Sequence, residues 1–146
     1  MILVDANILL YATTECAEAE RAQRWLDSKL NGDGRVGLPW ASLLAFLRLI
    51  TNSRIYPSPV SLLDAWAQVE DWLESPNVWI PSPTERHASI LRRMLEAAGG
   101  GRNLVPDADL AALAIEHGLL VCSTDRDFSR FPGVRWENPL ARDLAE

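Results

Sequence analysis

Five short runs, separated by stretches of helical spacing, constrain this chain more than any other feature. They are Ile2-Leu3-Val4, Val36-Gly37-Leu38, Val78-Trp79-Ile80, Leu119-Leu120-Val121-Cys122 and, less apolar, Val134-Arg135-Trp136. Each is too short for a helix, and each is bounded by turn residues, so each predicts a strand. Residues 16–30, 40–50, 61–74, 84–98 and 106–117 instead place apolar side chains at three- and four-residue intervals. Parallel strands need crossovers of a dozen or more residues, usually helical, and this chain supplies them between its runs. The expected fold class is α/β: a three-layer α/β/α sandwich around a central, mostly parallel sheet.

Local chemistry punctuates this pattern. Asn31-Gly32-Asp33-Gly34 and Ser75-Pro76-Asn77 stop helices. Thr84 is placed to cap the helix that follows it, and Pro106 suits the first turn of the next one. The segment from Trp40 to Ile50 has almost no polar face, which predicts burial on several sides. The chain has 146 residues, 48% of them hydrophobic, which fits one domain spanning residues 1–146. A domain of that size buries roughly 70% of the surface its unfolded chain exposes, so no disulfide is needed. Cys16 and Cys122 lie far apart in no ligand or redox spacing, and Cys122 reads as a buried thiol. No basic stretch precedes the first run, and no apolar segment approaches the ~18 residues of a membrane span. The chain reads as cytoplasmic, with no membrane partner.

The net charge of -6 argues against a protein held on nucleic acid by overall charge. It leaves room for a nuclease, because carboxylates that hold a divalent cation present the opposite sign to a phosphate. Ligand sites in open α/β sheets form beyond the carboxyl ends of strands. Asp5 follows the first strand directly. Asp125 follows the strand ending at Cys122, with Asp127 two residues on. Asp107 lies in the first turn of the preceding helix, whose Ala111 and Ala114 allow close packing on the sheet. Each acid also has an ordinary explanation: Asp5 as a turn cap with Asn7, Asp125 as a helix cap, Asp107 as a favourable charge at a helix N-terminus. Asp109 is expected to face solvent. Together the acids suggest a convergence of oxygen ligands suited to Mg2+ or Mn2+ rather than zinc. Such a site could stabilise attack on a phosphodiester.

Other catalytic schemes fit less well. His87 and His117 lie in helical stretches without a nucleophile motif, and His117 is expected to end its helix. No Lys-Ser/Thr pair follows Gly99-Gly100-Gly101, so that run is not a phosphate loop. A haloacid-dehalogenase-like phosphatase needs an acid where Asn7 stands. A response-regulator receiver needs a lysine after a late strand, and the single lysine is Lys29.

The run Val4-Asp5-Ala6-Asn7-Ile8-Leu9 resembles the opening motif of PIN-domain proteins. Asp107-Ala108-Asp109-Leu110-Ala111-Ala112-Leu113-Ala114, Gly118 and Ser123-Thr124-Asp125-Arg126-Asp127-Phe128 resemble their second half. Leu38-Pro39-Trp40 through Phe46-Leu47-Arg48 to Thr51-Asn52 is similar to the VapC toxins of bacterial toxin–antitoxin pairs. So are Arg130-Phe131-Pro132-Gly133 and Trp136-Glu137-Asn138-Pro139-Leu140. The resemblance spans essentially the whole chain. It implies a Mg2+-dependent endoribonuclease, with Mn2+ as a substitute, that arrests translation by cleaving RNA. It also implies a homodimer and a neutralising VapB-type antitoxin. By the same resemblance Asp5 and Asp107 hold metal, Asp125 completes the pocket, Asp127 is an additional acid and Asn7 orients. One departure stands out: the family places a Glu three residues before the arginine matching Arg48, and here that position is Ala45. A PIN-like domain that binds RNA or a protein partner without cleaving, and an interaction module whose acids are only caps and surface charge, are the competing readings. Arg48, Arg54, Arg102 and Arg126 are candidate phosphate contacts.

Overall fold

The computed structural model describes residues 1–142. β1 (Ile2–Val4), β2 (Val36–Gly37), β3 (Val78–Trp79), β4 (Leu120–Cys122) and β5 (Arg135–Glu137) form one sheet in the order β3-β2-β1-β4-β5. Every neighbouring pair is parallel, so the sheet is wholly rather than mostly parallel. Ile2 aligns with Val36 on one side and Leu120 on the other, which makes β1 the central strand.

The helices are α1 (Ala6–Thr13), α2 (Ala19–Leu30), α3 (Trp40–Ile50), α4 (Leu62–Glu74), α5 (His87–Ala97) and α6 (Val105–His117), with 3-10 turns at Arg102–Leu104 and Arg126–Arg130. They cover both faces of the sheet. Alternate residues of a strand point to opposite faces, so β1 contributes to two cores. Leu3 joins Val121, Ile90, Met94 and Leu113 beneath α5 and α6. Val4 joins Ile8, Leu9, Leu26, Phe46 and Trp72 beneath α1 to α4. Each such fully buried side chain contributes about 1.5–3 kcal/mol relative to exposure. The three-layer sandwich is therefore as expected. Among the described residues no helix is long and apolar enough to cross a membrane.

Four local expectations change. The segment Ala6–Thr13 is a helix that the periodicity does not mark, because Ala-Asn-Ile-Leu-Leu-Tyr-Ala-Thr has little polar face. The next helix begins at Ala19 rather than near residue 16. α5 begins at His87, not after Thr84, because the Thr84 hydroxyl donates to Glu116 and accepts from the Arg86 amide instead of capping a helix. α3 is not buried on several sides: Leu44 is 58% exposed, and Trp40 stacks on Trp66 of α4 at the surface. With Leu62 and Leu63 also exposed, α3 and α4 present an uncovered apolar face.

Candidate active site

β1 and β4 lie side by side at the centre of the sheet, and the chain leaves each at the same rim. The Asp5 amide donates to the Cys122 carbonyl, which places Asp5 beside the start of the Ser123–Asp127 turn. Asp5 caps α1, its Oδ1 accepting from the Ala6 amide at 2.7 Å. Its Oδ2 accepts from the buried Ser123 hydroxyl at 2.7 Å. Ser123 Oγ in turn accepts from Asn7 Nδ2 and from the Asp125 amide, both at 3.0 Å. Asn7 Oδ1 accepts from the Thr124 amide at 3.4 Å, so Asn7 ties the turn to α1. Ser123 is the residue that sequence reasoning missed at this site. The signal was a hydroxyl directly after a buried strand, where a polar side chain must find partners.

Asp125 caps the following turn, Oδ1 accepting from the Asp127 amide at 2.8 Å. The capping role expected for Asp125 and its place in an acidic group are therefore both real. α6 brings Asp107 to the same spot from its first turn. One carboxylate oxygen from each of Asp107, Asp125 and Asp127 lies within 4.8 Å of the others. Asp5 borders this group with both its oxygens already engaged. Arg130 Nε lies 3.3 Å from Asp127 Oδ1. Arg126 is exposed beside the turn, and Arg48 and Arg54 are exposed elsewhere, while the side chain of Arg102 lies outside the described residues. A cleft of about 580 Å³ opens beside Asp127, lined by Gly101, Asn103, Leu104, Asp127 and Arg130.

The electrostatics follow from this crowding. Burial, then the charges of Asp5 and Asp125, a hydrogen bond with Asp125 and the charge of Asp127 push Asp107 up to about 7. Burial raises Asp5 as well; the Ser123 and Ala6 donors oppose that rise and the Asp125 charge adds to it. Carboxylates this close are stable together only if one is protonated or a cation joins them. The donors fit a hard divalent cation. All are oxygens, and oxygens held at 2.0–2.6 Å from one ion can be roughly 4–5 Å apart across it. Ala45 is half-buried on α3, and α3 carries no acid at all.

Away from these acids one expectation changes and one holds. Asp109 is not simply solvated: its Oδ1 lies 2.8 Å from His87 Nε2. His117 does end α6, but its Nε2 is also bonded to the Ser82 carbonyl at 2.8 Å. Cys122 is buried as expected, its thiol pushed up to about 12, largely by burial, which makes it unreactive.

The PIN-domain family model matches residues 2–134. Ribonuclease VapC37 of Mycobacterium tuberculosis is 51% identical over 142 residues, covering 97% of this chain and 99% of that protein. Ribonuclease VapC33 of the same species is 38% identical over 141 residues, covering 96% and 99%. The solved structure of VapBC2 from Rickettsia felis bound to a promoter DNA fragment shares the fold at a TM-score of 0.68 and 18% identity, covering 94% of this chain and 98% of that one. From the parallel sheet, the rim acids and these matches together, the chain belongs to the PIN-domain family and, within it, to the VapC ribonucleases.

Proposed function

We propose that this protein is a divalent-metal-dependent endoribonuclease, the toxin of a VapBC-like pair, which inhibits translation by cleaving RNA in the cytoplasm. It acts as one PIN-like domain over residues 1–146, as a homodimer, and a VapB-type antitoxin neutralises it. The observation that carries the reading is the convergence of Asp107, Asp125 and Asp127 at the rim between β1 and β4. The names of the VapC relatives support the ribonuclease activity. The uncovered apolar face of α3 and α4 supports self-association there.

In this reading Asp5, Asp107 and Asp125 hold Mg2+, with Mn2+ able to replace it, and Asp127, with a carboxylate oxygen within 4.8 Å of those of Asp107 and Asp125, adds a further oxygen. The bound ion supplies Lewis-acid stabilisation of charge on the phosphodiester. The chain's own residues prepare the place. Without a cation, burial and the neighbouring acids hold a proton on Asp107, and that proton must leave before Asp107 can serve as a ligand. The Ser123 hydroxyl holds Asp5 Oδ2, and Asn7 holds Ser123, so the Asp5 carboxylate stays at the rim. Exposed Arg126, between two of the acids in sequence, is placed to meet a neighbouring phosphate.

A domain that binds RNA or a partner without cleaving is the second reading, and Ala45 favours it, since α3 contributes no acid. Mapping RNA ends after incubation with purified protein separates the two. The nuclease reading predicts discrete new ends with Mg2+ or Mn2+, none with EDTA, and a loss of at least about 100-fold in Asp125→Asn. Equal, background-level cleavage by wild type and Asp125→Asn under every metal favours the second reading and removes the first.

A further inference from the structure

α6 carries Asp107 in its first turn and Glu116 in its last. Asp109 and Glu116 are seven residues apart, so they lie on one face of α6 about 10 Å apart in rise. Ala112 falls between them on that face and is fully buried. Its small side chain leaves room for a ring to lie along the helix. His87, the first residue of α5, takes that place: Nε2 lies 2.8 Å from Asp109 Oδ1, and Nδ1 lies 2.5 Å from Glu116 Oε2.

We propose that His87 is a positioning residue for the ribonuclease site: by tying both Asp109 and Glu116 to the start of α5 it sets the rotation and height of α6, and with them the place of Asp107. The inference rests on Asp107 being a site acid. Three features of the structure carry it. The Glu116 side chain is fully buried, and a buried carboxylate is costly without several donors. Its Oε1 takes the Thr84 amide at 2.8 Å and the Thr84 hydroxyl at 2.6 Å, and Arg86 Nη2 donates to its backbone carbonyl at 2.8 Å. These contacts anchor only the last turn of α6; His87 extends the tie to Asp109, two residues from Asp107. Ile90 and Met94 of α5 share an apolar cluster with Leu110 and Leu113 of α6, and such packing is non-directional. Asp107 must nevertheless meet Asp125 and Asp127, which stand on a separate turn. A misplacement of about 1 Å at such a site costs on the order of 100-fold in rate.

The test compares wild type, His87→Gln and a control, Met94→Ala, which loosens the same helix pair without touching the tie. Steady-state RNA cleavage is read with hydrogen exchange of residues 105–113 in the metal-free protein. His87→Gln should lower kcat at least about tenfold with KM within about twofold, and should speed exchange in the first turns of α6. Met94→Ala, at a similar loss of thermal stability, should keep kcat within about twofold. If His87→Gln and Met94→Ala lose kcat in proportion to stability alone, His87 is merely structural and the proposal is wrong. If His87→Gln does not fold, Thr84→Ala removes one donor from Glu116 and should shift kcat the same way by a smaller factor; no shift overturns the proposal. A wild-type protein that cleaves no RNA under any metal instead removes the ribonuclease reading itself.

Discussion

Asp107 is drawn into a half-buried rim where Asp5, Asp125 and Asp127 all oppose its charge, and its carboxyl is pushed up to about 7. Its usual value is 3.8, so the folded protein binds the proton more tightly than the unfolded chain does. The associated stability is fully present below about pH 4 and is lost as pH rises through about 7. In metal-free protein, Asp107→Asn should therefore melt at a higher temperature than wild type at pH 8, and by a clearly smaller margin at pH 5. Thermal melts in EDTA at the two pH values measure this; a variant less stable at pH 8 contradicts the crowding described. Ser123 has the complementary role. It places one hydroxyl among Asp5, Asn7 and the Asp125 amide, so the turn after β4 and the start of α1 move as one piece.

Among the elements, α5 and α6 carry the clearest ionic device. Burial alone would lower the charge on His87, but the bonds and charges of Glu116 and Asp109 outweigh it and hold the imidazole above its ordinary 6.5. A raised histidine stabilises the fold below its unfolded pKa and loses that contribution as pH rises through the folded value. The stability margin of wild type over His87→Gln should therefore be largest near pH 6 and shrink toward pH 9. Urea unfolding across that range reads it, and a margin that grows with pH would sink the account. None of this tie was visible from sequence. His87 is 22 residues from Asp109 and 29 from Glu116, and each alone reads as an ordinary helix residue. The strands, by contrast, were legible as short apolar runs, and β5 shifted by only one residue. α1 was not, because a helix buried on most sides carries no amphipathic stripe. The rim acids could be picked out from the strand-end rule and the family resemblance. Which of them converge depended on β1 and β4 being neighbours, and alternation of strands and helices does not specify strand order.

At the scale of the whole molecule, a chain of net charge -6 must hold a polyanion through few cationic contacts. RNA binding should show a shallow dependence on salt, because the slope scales with the number of phosphates neutralised and that number is small. Arg126→Ala should weaken binding of a non-cleavable single-stranded RNA and reduce the slope of log affinity against log salt by about 0.7. An unchanged affinity and slope would remove Arg126 from the RNA path. The architecture as a whole delivers one acidic corner, where the central strand pair, the first turn of α6 and the turn after β4 meet. The claim that this corner is a cation site is tested most directly by calorimetric titration of the protein with Mn2+ at pH 7.5. Wild type should bind, and Asp107→Asn should lose at least about tenfold in affinity; no binding by wild type, or equal binding by the variant, would contradict it.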